Sequence, residues 1–137
     1  MGVDDLLNRA REGMRRLSPL EAFEACRARD TLIVDTRPEF QRRRDGEVPG
    51  TIVVERNHLE WRLDPRSSAR IPEALPGVQW IVLCDEGYSS SLAAWSLRQL
   101  GLTRATDVIG GFQSWRAAGL PVERPAWPTS PRLAPCS

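Results

Sequence analysis

Short apolar runs that alternate with helical patterns constrain the fold of this chain most strongly. Four such runs, rich in β-branched residues, are TLIVD at 31–35, TIVV at 51–54, WIVLC at 80–84 and TDVI at 106–109. Buried runs of this length are typical of parallel strands, and the helical segments between them supply the crossovers. The sequence therefore predicts a single α/β domain, in which helices flank both faces of a parallel sheet.

Helical patterns appear at both ends of the chain and between the strands. Residues 3–16 repeat apolar side chains at helical spacing and carry arginines on the opposite face. This pattern predicts an amphipathic helix that packs on the domain or on a partner. A second helix is predicted over 18–27, where Ser18 and Glu21 have the spacing of a capping box. Further helices are predicted after residue 90 and over the segment FQSWRAAG.

A change in composition divides the chain into three segments. Residues 123–137 contain four prolines in fifteen positions, which is typical of an extended or disordered tail. We therefore predict an N-terminal helix at 1–17, a folded domain at 18–122 and a proline-rich tail at 123–137.

The overall composition excludes several classes of protein. With 19 basic and 18 acidic residues among 137, the chain lacks the strong positive charge of a nucleic-acid-binding surface. No apolar window is long enough for a membrane span, and the N-terminus does not resemble a signal peptide, so a cytoplasmic protein without membrane contact is expected. Three cysteines without a CxxC pair and one histidine predict neither a disulfide framework nor a zinc site, and no metal or cofactor is expected.

Cys84 is the strongest candidate for a reactive residue. It ends the most apolar strand, and ligand sites of open α/β sheets lie at the carboxyl ends of the strands. A turn containing Gly87 follows, and a helix begins near Ser90, so several backbone N–H groups can converge on the sulfur and favour an anion there. The alternative is that Cys84 is only a small buried hydrophobic residue, since free cysteines are often buried.

Four blocks, in this order, carry a resemblance to a known family. They are LIVDTRPEF at 32–40, EVPGTIVV at 47–54, CDEGYSSS at 84–91 and GGFQSWRAAGLPV at 110–122. In these blocks the chain resembles the single-domain rhodaneses, a family of sulfurtransferases. The Cys-x-x-Gly-x-Ser-Ser loop together with the later Gly-Gly-Phe carries most of the resemblance.

The resemblance implies an enzyme of the thiosulfate sulfurtransferase type. In such a reaction Cys84 takes the sulfane sulfur of thiosulfate or another persulfide donor, forms a persulfide, and passes the sulfur to a thiophilic acceptor such as cyanide or a thiol. The chemistry agrees with the loop, because an anionic sulfur is stabilised by converging amide donors.

The resemblance also implies roles for the residues that follow Cys84. The predicted substrate-binding residues of the loop are Asp85, Glu86, Gly87, Tyr88, Ser89 and Ser90, mainly through their N–H groups. Gly87 permits the tight turn, and the hydroxyls of Ser89 and Ser90 can donate further hydrogen bonds. For these two serines helix capping is an equal alternative.

Asp35 and Arg37 occupy the Asp-x-Arg pattern of the family at the end of the first strand. Arg37 either binds the anionic donor or holds the loop through a carboxylate such as that of Glu86. Of the two roles the structural one is favoured, and Asp35 is expected to be structural near the site.

Three residues depart from the family pattern. Glu47 stands where many members have histidine, and Asp85 and Glu86 replace basic residues that attract thiosulfate in some relatives. Carboxylates beside the thiol oppose the approach of an anion and formation of a thiolate. Thiosulfate is therefore predicted to be a poor donor, and a neutral or protein-bound persulfide a better one.

Two other functions compete with the transferase. Phosphatases with related loops close them with an arginine, but this loop has serines there and the next arginine is Arg98. The second alternative is a non-catalytic or redox-sensing rhodanese-like module, in which Cys84 reports on reactive sulfur or stays idle. The N-terminal helix leaves a homodimer open.

The remaining candidates have more ordinary interpretations. We expect His58 to lie at a surface or a helix start, Cys26 to pack in the core, and Cys136 in the tail to stay apart from Cys84. Trp61 and Tyr88 are the aromatic residues expected nearest the pocket.

Overall fold

The computed structural model describes residues 1–127, which form one α/β layer structure. The strands are β1 (Thr31–Asp35), β2 (Ile52–Val53), β3 (Gln79–Leu83) and β4 (Thr106–Asp107). The helices are α1 (Val3–Arg11), α2 (Pro19–Ala25), α3 (Glu39–Asp45), α4 (Leu59–Leu63), α5 (Ser89–Gln99) and α6 (Gly111–Ala117). A 3₁₀ turn at Arg56–His58 leads into α4.

The four strands form one parallel sheet in the order β2-β1-β3-β4. The register pairs Asp35 with Leu83 and Val82 with Asp107, so the carboxyl ends of β1, β3 and β4 meet at one edge. β1, β2 and β4 lie within runs that the sequence predicted, whereas β3 begins one residue earlier than predicted and ends before Cys84. The predicted fold class is confirmed.

Alternate residues along the central strands pack on opposite faces of the sheet. Val34 and Val82 belong to a core cluster that includes residues of α4 and α5, whereas Ile33 and Ile81 belong to one that includes residues of α2 and α6. This two-sided burial explains why the strands are almost continuously apolar. The core thus holds β3 rigidly up to the residue before Cys84.

The N-terminal helix is shorter than the sequence predicted. α1 ends at Arg11 rather than near residue 16, because Gly13 adopts a left-handed conformation with φ of +69°. Leu7, Ala10 and Met14 are buried, and α1 packs on α5. Of the two predicted packing partners for this helix, the structure therefore shows the domain itself.

Two short helices, α3 and α4, were not predicted. Residues 128–137 of the predicted proline-rich tail lie outside the described residues, and Cys136 is among them. Within residues 1–127 no helix has the length and apolar character required to cross a membrane.

Candidate active site

Cys84 lies directly after β3, between the ends of β1 and β4. Its side chain is 5% exposed. The Sγ atom accepts hydrogen bonds from the backbone N–H of Gly87 at 3.1 Å and of Ser90 at 3.4 Å. Two amide donors thus converge on the sulfur, as the sequence predicted for this turn, and both interactions favour negative charge on it.

The turn depends on the absence of a side chain at Gly87. Gly87 has φ of +89°, and a Cβ there would approach the nitrogen of Gly110 to 2.6 Å. L-residues rarely adopt this conformation, and the neighbouring backbone leaves no space for one. Gly87 therefore fixes both the curvature of the loop and its packing on the following turn.

The Gly110-Gly111-Phe112 segment docks against the base of the cysteine loop. The N–H of Phe112 donates to the carbonyl of Cys84 at 2.8 Å, and the N–H of Gln113 donates to that of Asp85 at 3.1 Å. A Cβ on Gly111 would lie 2.5 Å from the Cys84 carbonyl oxygen. The two family motifs are thus halves of one structural unit.

A cavity of about 420 Å³ opens beside the sulfur. It is lined by Thr36, Arg37, Pro38, Gln41, Arg56, Cys84, Asp85, Glu86, Tyr88 and Ser89. Cys84 is buried, but Tyr88 is 63% exposed, which places it at the rim. All six predicted loop residues lie at the site: Asp85, Glu86, Tyr88 and Ser89 line this cavity or its rim, and the N–H groups of Gly87 and Ser90 donate to the sulfur.

A second, more apolar cavity of about 370 Å³ is lined by residues of α2, β1, the turn before β2 and α6, and includes Cys26. Burial raises the pKa of the Cys26 thiol, although a backbone hydrogen bond from Ile33 opposes the shift. A raised thiol pKa disfavours the thiolate, so Cys26 is a weak candidate for a nucleophile.

The two acidic residues of the loop differ in their surroundings. Asp85 Oδ1 accepts a hydrogen bond from Gln113 Nε2 at 2.9 Å and lies 3.9 Å from Arg44 Nη2. Glu86 is exposed. Since a nearby guanidinium offsets the charge of Asp85, the predicted repulsion of an anion rests mainly on Glu86.

The hydroxyl of Ser90 neither bonds to the sulfur nor caps α5, the two roles that the sequence predicted for it. It donates to Asp107 Oδ2 at 2.7 Å, and the neighbouring Ser91 hydroxyl donates to the same atom at 2.8 Å. No side chain caps α5. Ser90 therefore approaches the sulfur only through its backbone N–H, because the buried Asp107 takes its hydroxyl; Ser89 is exposed.

Arg37 is completely enclosed, in contact with Asp35. Its Nη2 atom donates to Asp35 Oδ2 at 2.8 Å and to the carbonyl of Gly46 at 2.9 Å, and its guanidinium stacks 3.9 Å from the centroid of the Phe112 ring. These contacts match the structural role. The carboxylate partner is Asp35, however, and not Glu86. Among the described residues, Arg37 Nη1 has no hydrogen-bond partner.

Several other candidates lie away from the cysteine loop. His58 is exposed in the 3₁₀ turn and lines a different depression from that of Cys84, as its ordinary interpretation predicted. Trp61 is 62% exposed and lines a separate depression with Asp64 and Leu100, so its predicted proximity to the pocket was wrong. Glu47 forms an ion pair with Arg42 at 3.6 Å.

Three residues near the loop were not predicted. Asp107 is fully buried at the end of β4 and forms an ion pair with Arg16 Nε at 2.8 Å. Arg16 Nη2 and Arg11 Nη2 both donate to the carbonyl of Gly87, at 3.0 and 2.9 Å. The only sequence feature that could have indicated these contacts is the position of Asp107, which, like Asp35, is a carboxylate at the end of a strand.

The fold and the site together define a class of protein: a parallel α/β domain with a cysteine loop at the end of a central strand. The sequence matches the rhodanese-like domain family over residues 18–118, and the chain belongs to that family. The resemblance seen in the sequence is thereby confirmed.

Relatives with assigned names are sulfurtransferases. The chain is 36% identical over 86 residues to the adenylyltransferase and sulfurtransferase MOCS3-1 of Zea mays, a match covering 61% of this chain but 18% of the maize protein. It is 27% identical over 103 residues to the thiosulfate sulfurtransferase GlpE of Coxiella burnetii, covering 75% of this chain and 88% of that protein. The chain therefore spans less than a fifth of the maize relative.

A solved structure from Rhodopseudomonas palustris, described as a protein of unknown function and possible tyrosine phosphatase, is also similar. It shares 32% identity with a TM-score of 0.82, over 90% of this chain and 95% of its own. A rhodanese-related protein of Thermoplasma volcanium shares 26% identity with a TM-score of 0.64, over 81% of this chain and 99% of its own.

Proposed function

We propose that this protein is a sulfurtransferase that carries sulfane sulfur on Cys84. The observation that supports this most directly is the pair of backbone N–H groups, from Gly87 and Ser90, that donate to Cys84 Sγ. The names of two relatives, which include the word sulfurtransferase, point the same way. No metal or cofactor is needed for the proposed chemistry.

The first half-reaction is a displacement at sulfur. The Cys84 thiolate attacks the outer sulfur of thiosulfate, a new S–S bond forms, and the S–S bond of thiosulfate breaks with its electron pair leaving on sulfite. The product is a Cys84 persulfide whose terminal sulfur is anionic. With a neutral persulfide donor the Cys84 thiolate attacks the outer sulfur, and the electron pair of the broken S–S bond leaves on a thiolate in place of sulfite.

The loop offers further donors for that terminal sulfur. Among residues 1–127 no acceptor is found for the N–H groups of Glu86, Tyr88 and Ser89, all of which line the cavity. Preorganised amide dipoles stabilise a developing anion without reorganising during the reaction. In the second half-reaction an acceptor such as cyanide attacks the terminal sulfur, and the Cys84 thiolate departs with the electrons of the S–S bond.

The charges around the cavity bear on the choice of donor. Glu86 is exposed at the cavity and opposes a dianion, whereas Arg56 also lines it and is half exposed. Arg56 Nη1 is held by Glu60 at 2.9 Å, which offsets its charge. We therefore infer that thiosulfate is the weaker donor and a persulfide of lower charge the better one.

Phosphate-ester hydrolysis is less well supported. The residue six positions after Cys84 is Ser90, whose hydroxyl is held by Asp107, and no arginine lies between Cys84 and Arg98. A loop without an arginine lacks the bidentate donor that grips a phosphate. The similarity to a structure described as a possible tyrosine phosphatase therefore does not change the proposal.

The test is intact mass after incubation with thiosulfate or with glutathione persulfide, then after cyanide. A gain of about 32 Da that cyanide removes, absent from Cys84→Ser and retained by Cys26→Ser, is expected. Loading without release to cyanide or thiols would favour a sensing module. No loading from either donor would refute the proposal. The homodimer is tested separately, by hydrodynamic size.

A further inference from the structure

The segment before residue 18 lies outside the family match, yet it contacts the cysteine loop. Arg11 and Arg16 each donate an Nη2 hydrogen bond to the carbonyl of Gly87, at 2.9 and 3.0 Å. Arg11 Nε also donates to Ser91 Oγ at 2.9 Å. The helix prediction had assigned its arginines to the solvent face; the structure instead turns Arg11 inward.

We propose that Arg11 and Arg16 are positioning residues that set the donor geometry of the Cys84 loop, on the premise that Cys84 carries sulfur. The carbonyl of Gly87 and the N–H of Tyr88 belong to one planar trans peptide and point in opposite directions. Two guanidinium groups that hold the carbonyl therefore direct the Tyr88 N–H away from α1.

Residues 15–17 are held against the β4 region by hydrogen bonds, which fixes the position of Arg16 relative to the cysteine loop. The N–H of Leu17 donates to the carbonyl of Asp107 at 3.1 Å, and the N–H of Ile109 donates to that of Leu17 at 2.8 Å. The Thr106 hydroxyl donates to the carbonyl of Arg15 at 2.7 Å. These bonds attach residues 15–17 to β4 and place Arg16 beside Asp107.

Charge gives the two arginines different tasks. Arg16 is paired with the buried Asp107, whose carboxylate also holds the Ser90 and Ser91 hydroxyls. Arg11 lies within ion-pair distance of no carboxylate in residues 1–127, so its charge is not offset. It therefore supplies positive potential beside a loop that also carries Asp85 and Glu86.

Arg11 is the residue to test, because removing Arg16 leaves Asp107 buried without its ion-pair partner and threatens folding. Arg11→Ala is compared with Arg11→Lys, Arg11→Gln and the matched control Arg9→Ala. Arg9 lies on the same helix and is exposed. Steady-state turnover of the donor, with cyanide as the acceptor, gives kcat and KM. Hydrogen exchange reports on the order of the amides of 86–91.

Arg11→Ala is expected to lower kcat for sulfur transfer by about tenfold, because the loop loses the charge-assisted hydrogen bond to the Gly87 carbonyl, with a smaller change in KM. Exchange of the 86–91 amides rises, and Arg11→Lys restores part of both; Arg9→Ala behaves as the parent. If Arg11→Gln restores as much as lysine, hydrogen bonding sets the geometry; if only lysine restores, charge contributes as well. Both outcomes support positioning.

Rates within twofold of the parent, with unchanged exchange, would overturn the inference while leaving the proposed function intact. If the parent itself takes up no sulfur, the proposed function fails. Hydrogen exchange then still decides whether Arg11 orders the loop, since that measurement does not require a reaction.

Discussion

Gly87 and Gly110 lie in direct backbone contact: a Cβ built on Gly87 would come within 2.6 Å of the Gly110 nitrogen. The cysteine loop and the turn before α6 are therefore packed as one unit, at a distance that no other residue permits. The Cys84 carbonyl is bonded to the Phe112 N–H from the same turn. A change in the second turn is thus transmitted to the first.

Gly111→Ala should destabilise the fold and disturb the loop. Gly111 has φ of +61°, and its added Cβ would lie 2.5 Å from the Cys84 carbonyl oxygen. We expect the free energy of unfolding in urea to fall by about 2–4 kcal/mol, from strain and overpacking together. Sulfur loading of the folded fraction should fall too.

Gly119→Ala is the matched control for that substitution. Gly119 has φ of +73°, but nothing lies within 4 Å of its added Cβ. It should therefore lose about 1 kcal/mol from backbone strain alone and keep normal sulfur loading. Equal losses for both variants would show that the contact with the Cys84 carbonyl has no energetic weight.

Asp107→Asn should lower both stability and loop order. The carboxylate is fully buried and accepts from Ser90, Ser91 and Arg16, and an amide group cannot accept from all of these donors. We expect a loss of about 3 kcal/mol or more in the free energy of unfolding. Asp30→Asn, at an exposed pair with Arg104, should cost less than about 1 kcal/mol.

Arg37→Lys should act mainly on stability. Lysine keeps the charge but cannot hold Asp35 and the Gly46 carbonyl together while stacking on Phe112. The expected loss is about 2 kcal/mol or more, with little change in KM for the donor among folded molecules. Arg56→Lys, at the rim of the same cavity, should stay within about 0.5 kcal/mol. A stable Arg37→Lys with a raised KM would instead assign Arg37 to substrate binding.

Asp45 should give the stability a measurable dependence on pH. The hydrogen bond from Arg44 is the largest influence that holds the pKa of Asp45 below its usual value; Gln113 adds to it and burial opposes it. A carboxyl with a lowered folded pKa contributes stability above its unfolded pKa of about 3.9, and that contribution is lost as pH falls through the folded value.

Asp45→Asn should therefore be less stable than the parent at pH 7 by up to about 1 kcal/mol, and the difference should shrink between about pH 5 and pH 2. Urea unfolding at several pH values measures this. Because Arg44 is 55% exposed, added salt should reduce the difference at pH 7. A difference that stays constant across this range would contradict the assignment.

The sheet was predictable because its strands are buried on both faces and hence apolar without interruption. The same burial placed Cys84 at a strand end, where the turn with Gly87 could be inferred from residue type. In contrast, α3 has the sequence EFQRRRD, whose one large apolar residue, Phe40, is 65% exposed, so it lacks an apolar face to detect. α4 offers only Leu59 and Leu63 as buried anchors.

The network behind the loop could not be predicted for a different reason. The contacts of Asp107 with Arg16 and of Gly87 with Arg11 join residues that are 91 and 76 positions apart. The local sequence around Arg11 does not indicate that its side chain bonds to a carbonyl far along the chain. The Ser90 hydroxyl was assigned to the sulfur or to a cap for the same reason, because its partner arrives from another strand.

The parallel bridge between Leu17 and Val108 covers one edge of the sheet. β4 is the last strand of the sheet, and an open edge offers unsatisfied N–H and C=O groups to any passing chain. By bonding to Asp107 and Ile109, Leu17 occupies that edge and removes it as a template for aggregation. A shortened chain that begins at Ser18 would keep the whole family match yet leave this margin bare and Asp107 without Arg16, so both its solubility and its stability would suffer.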